Sequence, residues 1–181
     1  MRLQKNFRID KIKLILFFLF LIWFILQILA PLMLPYNTIK NLSGVVGLVD
    51  NEKLIKNIPQ PWSTIYLIGD ILCHQKKERS YFINGNQMPF CSRCTGIFLG
   101  FAIGMLASII LQKRICFSDK TVLFILVLML PLIIDGTMQL FGAWESKNII
   151  RITTGTLTGV AGSLAVSLII DEIKNVKLLK H

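Results

Sequence analysis

The stretch CHQKKERSYFINGNQMPFCSRCTGIFLG, residues 73–100, decides the fold because it places a cluster of cysteines and a histidine directly before an apolar helix. It holds three of the four cysteines, Cys73, Cys91 and Cys94, and one of the two histidines, His74. Long apolar segments lie on both sides of it. The sequence therefore predicts a Cys/His site at the surface of a membrane.

The composition is that of an integral membrane protein. Hydrophobic residues make up 54% of the 181 and charged residues only 17%, and the mean hydropathy of +0.63 lies outside the range of soluble domains. The net charge is +10, but the basic residues lie in short flanks between apolar segments, where they orient helices and contact lipid headgroups. We predict a lipid bilayer as partner and no nucleic acid, and leave open a protein partner or a homo-oligomer.

Four apolar segments are long enough to cross a bilayer, which needs ~20 residues: residues 14–34, 94–112, 121–144 and 152–170. Residues 62–72 are apolar except for Asp70 and too short to span, so they predict an interfacial or re-entrant helix. The predicted fold is an all-α integral membrane protein. It has four transmembrane helices and this short helix before an extracytoplasmic Cys/His loop.

The same segments divide the chain into four parts. Residues 1–34 are predicted to be an uncleaved signal anchor, because the apolar run is long and Pro31 directly follows Ala30, the one small residue at which cleavage would be expected. Residues 35–61 are predicted to be an exposed extracytoplasmic connection, residues 62–171 the membrane domain, and residues 172–181 a basic cytoplasmic tail.

The distribution of lysine and arginine predicts the orientation. Residues 1–13, 113–120 and 171–181 share one side of a four-span protein and hold 11 basic residues in 32 positions, against nine in 66 on the other side. Because basic residues favour the cytoplasmic side, both termini of this multi-pass cell-membrane protein are predicted to be cytoplasmic. The Cys/His loop then lies outside, whereas Cys116 faces the cytoplasm and is predicted to be a bystander.

Small residues recur every four positions in the second and fourth spans, at Gly96, Gly100, Gly104 and Ser108, and at Gly155, Gly159, Ser163 and Ser167. Such stripes let two helix backbones approach closely, so these helices are predicted to touch. The contact brings polar residues of both halves to the cysteine end. This supporting polar cluster comprises Arg79, Arg93, Asp135, Gln139, Glu145 and Arg151. For Asp135, an ion pair with Arg93 or Arg151 and a direct role in binding or proton transfer both remain open.

These residues resemble a known family, the small polytopic membrane proteins with domain of unknown function 2085. The resemblance covers about residues 62–162 and rests on Cys73-His74-Gln75, Arg79-Ser80, Gly85, Gln87, Pro89, Cys91-Ser92-Arg93-Cys94-Thr95-Gly96, Gly100, Asp135-Gly136, Gln139, Glu145-Ser146, Asn148, Arg151 and Gly155. It implies an integral membrane protein that shares these polar positions. It implies no reaction, and we assign no catalytic residue.

A metal site, with zinc as the favoured ion, is the first hypothesis for the cysteines. Cys91 and Cys94 form a C-x-x-C pair that can chelate one ion, and Cys73 and His74 would complete a tetrahedral set. Because adjacent side chains point apart in regular structure, either an irregular turn lets both Cys73 and His74 bind, or only one of them does.

Two other hypotheses remain open. The first is thiol-disulfide exchange, in which Cys94 at the start of a helix is activated, Cys73 passes the electrons and a quinone accepts them. The layout is similar to that of membrane oxidoreductases of the vitamin K epoxide reductase kind. The second is a disulfide that only tethers the loop of a structural subunit.

Overall fold

The computed structural model describes residues 10–111 and 118–179. Its elements are α1 (Lys11–Met33), α2 (Glu52–Ile55), α3 (Trp62–Leu72), β1 (Phe82–Ile83), β2 (Asn86–Gln87), α4 (Ser92–Ile110), α5 (Asp119–Leu140) and α6 (Asn148–Leu179), with a 3-10 turn at Lys77–Arg79 between α3 and β1. Cys116 and the basic residues at 1–9, 113–114 and 180 lie outside the described residues.

Four of these helices are long and apolar enough to cross a membrane: α1, α4, α5 and the Asn148–Val176 part of α6. The 11 residues of α3 are apolar but too short to span. The predicted all-α membrane fold with four spans and one short helix is therefore confirmed. Apart from the two-residue strands of the β1–β2 hairpin, the regular structure within the described ranges is helical.

Helices α4 and α6 are in backbone contact along their stripes of small residues. A Cβ atom built on Gly100 would lie 2.1 Å from the carbonyl oxygen of Thr156 and 2.9 Å from the Cα of Gly159. One turn towards the cysteines, a Cβ on Gly155 would lie 2.3 Å from the carbonyl oxygen of Arg93. Only glycine permits this approach, so the predicted contact is confirmed.

Each of the two remaining spans packs mainly on one helix of this pair. Helix α1 packs on α4 through aromatic pairs, with ring centroids 4.7 Å apart for Phe20 and Phe101. Helix α5 packs on α6 around Ile125, Ala161 and Leu164. Much of the remaining surface of α5 is apolar and exposed, as expected for a helix that faces lipid.

Ion pairs join the N-terminal end of α1 to the C-terminal part of α6. Lys13 Nζ lies 2.7 Å from Asp171 Oδ2, and Lys174 pairs with Asp10, whose carboxylate also caps α1. Helix α6 continues to Leu179, beyond residue 170, at which the sequence predicted that the fourth span ends. Residues 172–179 of the predicted basic tail are therefore helical, and the cytoplasmic location of the tail stays a prediction.

Residues 35–61 are not simply an exposed connection, and that prediction needs correction. Ile39, Leu42, Ile55 and Ile58 are buried in one core with the end of α1 and with α3. The segment folds back because the Asn86 carboxamide oxygen accepts hydrogen bonds from the backbone N–H groups of residues 38 and 39, at 2.7 and 2.8 Å. Residues 45–50 are exposed.

Asn84 and Gly85 form the two-residue turn of a hairpin between β1 and β2. Asn84 and Gly85 both have positive φ angles, 52° and 71°, as a type I′ turn requires. The hairpin returns the chain towards α3, which brings the region of Cys91 back beside Cys73.

Candidate metal centre

Cys73 is held in place by the end of α3 and a buried carboxamide that follows it. The residue caps α3 in an extended conformation and is 2% exposed. Two positions later Gln75, fully buried, donates from Nε2 to the carbonyl oxygen of Pro89 at 2.7 Å. Because Pro89 lies two residues before Cys91, this bond ties both halves of the cysteine cluster together.

A second layer of polar contacts fixes Gln75. Its own carbonyl oxygen accepts a hydrogen bond from Gln87 Nε2 at 2.6 Å. Asn51 bonds the buried carboxylate of Asp70 through both its backbone N–H and its side chain. Its Nδ2 atom also lies 3.4 Å from Gln75 Oε1. These contacts immobilise the backbone on both sides of Cys73, as a preorganised ligand site requires.

The three cysteines of the quoted stretch converge at the start of α4. The Sγ atoms of Cys73, Cys91 and Cys94 all lie within 4.8 Å of one another, and all three residues are free thiols. The backbone N–H of Cys91 donates to Cys73 Sγ at 3.2 Å. A tetrahedral zinc ion with Zn–S bonds of ~2.3 Å needs sulfurs about 3.8 Å apart. The cluster can therefore hold a metal ion with little movement.

The thiols differ in their ease of ionisation. The neighbouring thiols of Cys73 and Cys94 lower the pKa of Cys91, whereas burial opposes this shift. The contact with Cys91 raises the pKa of Cys73, and burial adds to the increase. The trio therefore favours a thiolate at Cys91 over one at Cys73.

Metal binding should therefore depend on pH. A thiolate ligand must lose its proton, and the raised pKa of Cys73 keeps this thiol protonated near neutral pH, so an ion that binds Cys73 displaces at least that proton. We expect the affinity for Zn²⁺ to increase at least about tenfold per pH unit between pH 6 and 8. Competition with a chromophoric chelator, corrected for the chelator's own protonation, measures this slope; an affinity independent of pH would contradict it.

His74 does not join this trio. Cys73 is extended, so neighbouring side chains point to opposite faces, and His74 is exposed whereas Cys73 is buried. With three sulfurs, a tetrahedral ion keeps a fourth position for water or an added ligand, and His74 as the fourth ligand stays a prediction.

The structure brings together five of the six residues of the supporting polar cluster. Arg93 Nη2 is paired with Asp135 Oδ2. One carboxamide atom of Gln139 lies 2.9 Å from the Nη2 atoms of both Arg79 and Arg151. It must be the oxygen, because a nitrogen would face two donors. Arg151 also lies within electrostatic reach of Cys91, so this cluster adjoins the cysteines.

Glu145, the sixth residue, is exposed and forms none of the ion pairs found within residues 10–111 and 118–179. Asn51, Asp70 and Gln87 hold the cysteine loop through hydrogen bonds, although no sequence motif assigned a role to them. An acid inside the apolar segment 62–72 was the available signal for Asp70, because a buried acid needs a partner.

Comparison with known proteins gives a family but no reaction. A family model described as "Predicted membrane protein (DUF2085)" matches residues 73–165, about half of the chain. An uncharacterized protein of Methanocaldococcus jannaschii is 36% identical over 95 residues, which are 52% of this chain and 61% of that protein. An uncharacterized protein of Methanothermobacter thermautotrophicus is 40% identical over 89 residues, 49% of this chain and 78% of that protein.

The similarity covers the cysteines and most of the α4–α6 bundle, whereas the family match leaves out α1 and residues 34–61. The chain spans less than two thirds of the length of the first of these relatives. No solved structure matches the chain.

Proposed function

Since this chain belongs to the DUF2085 family of predicted membrane proteins, we propose that it is a membrane metal-binding protein in which Cys73, Cys91 and Cys94 hold one zinc ion. The observation that carries the proposal is the convergence of three free cysteine Sγ atoms within 4.8 Å. Three sulfur ligands favour zinc over hard cations such as Mg²⁺ or Ca²⁺, which prefer oxygen.

The surroundings of the trio support a preorganised site. Gln75, Gln87 and Asp70 are fully buried and fix the loop through hydrogen bonds. In α4 the hydroxyl groups of Ser92 and Thr95, in the same first turn as Cys94, are buried without a hydrogen-bond partner. The open fourth position of the ion would suit a water molecule or a substrate atom, so the site has the ligand number of a catalytic rather than a closed structural centre.

The test is the metal content of protein purified in detergent without added chelator. We expect about one zinc per chain in the parent and none in the Cys91→Ser/Cys94→Ser variant, because a single thiolate cannot retain the ion. Cys116→Ser is the control, since it replaces the one cysteine outside the stretch of residues 73–100. A parent protein without metal, or a double variant that keeps it, would contradict the proposal.

The same preparation tests His74. If His74 is the fourth ligand, His74→Ala should lower zinc affinity by about tenfold or more. An unchanged affinity would remove His74 from the site and leave the three thiolates.

Thiol-disulfide exchange is the second candidate, and the low pKa of Cys91 favours it because a thiolate is the attacking species. In that reaction two of the three cysteines would form a disulfide, and a quinone would take up their two electrons and two protons. Thiol trapping with a mass-tagged maleimide distinguishes the candidates. A disulfide that forms in the parent and is reversed by quinol supports exchange, whereas permanently reduced thiols with bound zinc rule it out.

We further propose that both termini are cytoplasmic and that the cysteines lie on the outer side, as the basic residues indicate. Single cysteines placed at Asn41 and in the tail, in a cysteine-free background, can be labelled in intact cells with an impermeant maleimide. Labelling at Asn41 only is the expected result. Labelling of the tail only would reverse the orientation.

A further inference from the structure

Three arginine side chains meet at the cysteine end of the bundle. Arg79 belongs to the 3-10 turn before the hairpin, Arg93 to the first turn of α4, and Arg151 to the first turn of α6. The Gln139 carboxamide is their common contact. Its oxygen accepts from Arg79 and Arg151 at 2.9 Å, and its other polar atom lies 3.4 Å from Arg93 Nη2.

The positive charge of this arginine cluster exceeds the negative charge around it. Within the described residues, Asp135 is the one carboxylate in an ion pair with any of the three arginines, and its partner is Arg93. Arg79 and Arg151 have no carboxylate partner there, which leaves a surplus of two positive charges. Even if the neighbouring cysteine site carries one negative charge, one positive charge remains.

Burial makes this surplus unfavourable. Arg151 is 4% exposed, and like charges repel more strongly at a buried site than in water. Its Nη1 atom donates to the carbonyl oxygen of Glu78 at 3.2 Å and lies 3.4 Å from Asn148 Oδ1. The Nε atoms of both Arg151 and Arg93 are buried without a hydrogen-bond partner. The guanidinium groups are therefore held in position, and their Nε–H groups remain available to donate further hydrogen bonds.

We propose that Arg79, Arg93 and Arg151 bind the phosphate group of a phospholipid headgroup or of free phosphate at the cysteine end of the bundle. Planar guanidinium groups match phosphate oxygens with pairs of hydrogen bonds, and a phosphodiester carries the single negative charge that balances the surplus. Helices α4 and α6 both begin at this end, and their N-terminal dipoles also favour an anion. Arg79 is half-buried, so part of its side chain can be reached from outside the bundle.

The site rests on permanent guanidinium charges and does not require the metal. The main test variant is Arg79→Gln, because Arg79 lies at the edge of the cluster and has no carboxylate partner in the described ranges. Lys77→Gln is the matched control: Lys77 is an exposed residue of the same 3-10 turn, and the substitution removes the same charge.

Two ligands distinguish the sources of the phosphate group. Binding of radioactive orthophosphate is measured by equilibrium dialysis of the protein in detergent. Binding of dioleoylphosphatidylglycerol is measured by native mass spectrometry in the same detergent. We expect about one bound ligand per chain, with about ten- to one-hundredfold weaker binding in Arg79→Gln and unchanged binding in Lys77→Gln.

Saturable binding of phosphatidylglycerol alone identifies a lipid headgroup, and binding of orthophosphate alone identifies free phosphate. Absence of both in the parent overturns the proposal, and so does equal binding by Arg79→Gln and Lys77→Gln. If Arg79→Gln does not fold, Arg79→Lys replaces it. For Arg79→Lys we expect about tenfold weaker binding, because lysine cannot form the paired hydrogen bonds of a guanidinium group. Unchanged binding overturns the proposal. Zinc content, measured on the same samples, should be unaltered in every variant.

Discussion

Replacing Gly100 with alanine is expected to cause one of the largest losses of stability among the glycine-to-alanine substitutions in the bundle. The new Cβ would lie 2.1 Å from the carbonyl oxygen of Thr156 and 2.9 Å from the Cα of Gly159. Both atoms belong to the backbone of α6 and cannot rotate away. Helices α4 and α6 must then separate, and we expect a loss of about 3 kcal/mol or more in the free energy of unfolding.

Gly136→Ala is the matched control for this prediction. It makes the same change in α5, where a Cβ would have no atom within 4 Å. Since alanine favours helix by ~1 kcal/mol over glycine, Gly136→Ala should be neutral or stabilising. Unfolding by increasing SDS in mixed micelles measures both variants. Equal stability of the two would contradict the backbone contact between α4 and α6.

Asp135→Asn is expected to have the second largest effect. The carboxylate is almost fully buried and is the one negative partner of the arginine cluster within the described part of the chain. Its removal leaves three guanidinium groups without a compensating charge. Removing one partner of a buried ion pair costs ~3–5 kcal/mol, and we expect a loss near the lower value because Arg93 remains partly solvated.

Asp119→Asn controls for the loss of an acid from the same helix, since Asp119 is exposed in the first turn of α5. It should lower the free energy of unfolding by less than about 1 kcal/mol. The double variant Arg93→Gln/Asp135→Asn should recover part of the stability lost in Asp135→Asn, because it removes the unpaired cation. If Asp135→Asn is as stable as Asp119→Asn, the ion pair does not hold the bundle together.

Much of the membrane fold could be predicted because its signals are local. A spanning helix needs an uninterrupted apolar run, and residues at intervals of four lie on one helix face, which is why the Gly100 and Gly159 stripes identified the contact. The hairpin at Asn84 and Gly85 was equally readable, because few residues tolerate a positive φ.

The buried segment within residues 35–61 could not be predicted in the same way. Ile39 and Leu42 lie among polar residues, so no extended hydrophobic periodicity marks them as buried. Their burial depends on the side chains of Asn86 and Gln87, which bond the backbone of residues 38–42 across more than 40 positions. Such side chain to backbone contacts have no local pattern in the sequence.

The sequence grouped Cys73, Cys91 and Cys94 into one candidate site, and their sulfur atoms do lie together. The orientation of His74 could not be predicted. Which of Cys73 and His74 faces inward depends on the backbone at the end of α3. The extended conformation of Cys73 directs its side chain to the buried side and leaves His74 exposed.

The most direct test of the proposed metal centre is X-ray absorption spectroscopy at the zinc edge of the purified parent protein. The proposal predicts three sulfur neighbours at ~2.3 Å and one lighter atom at ~2.0 Å. Imidazole scattering at the lighter position would identify His74 or another histidine as the fourth ligand. A first shell of nitrogen and oxygen without sulfur, or protein that contains no zinc, would contradict a site formed by Cys73, Cys91 and Cys94.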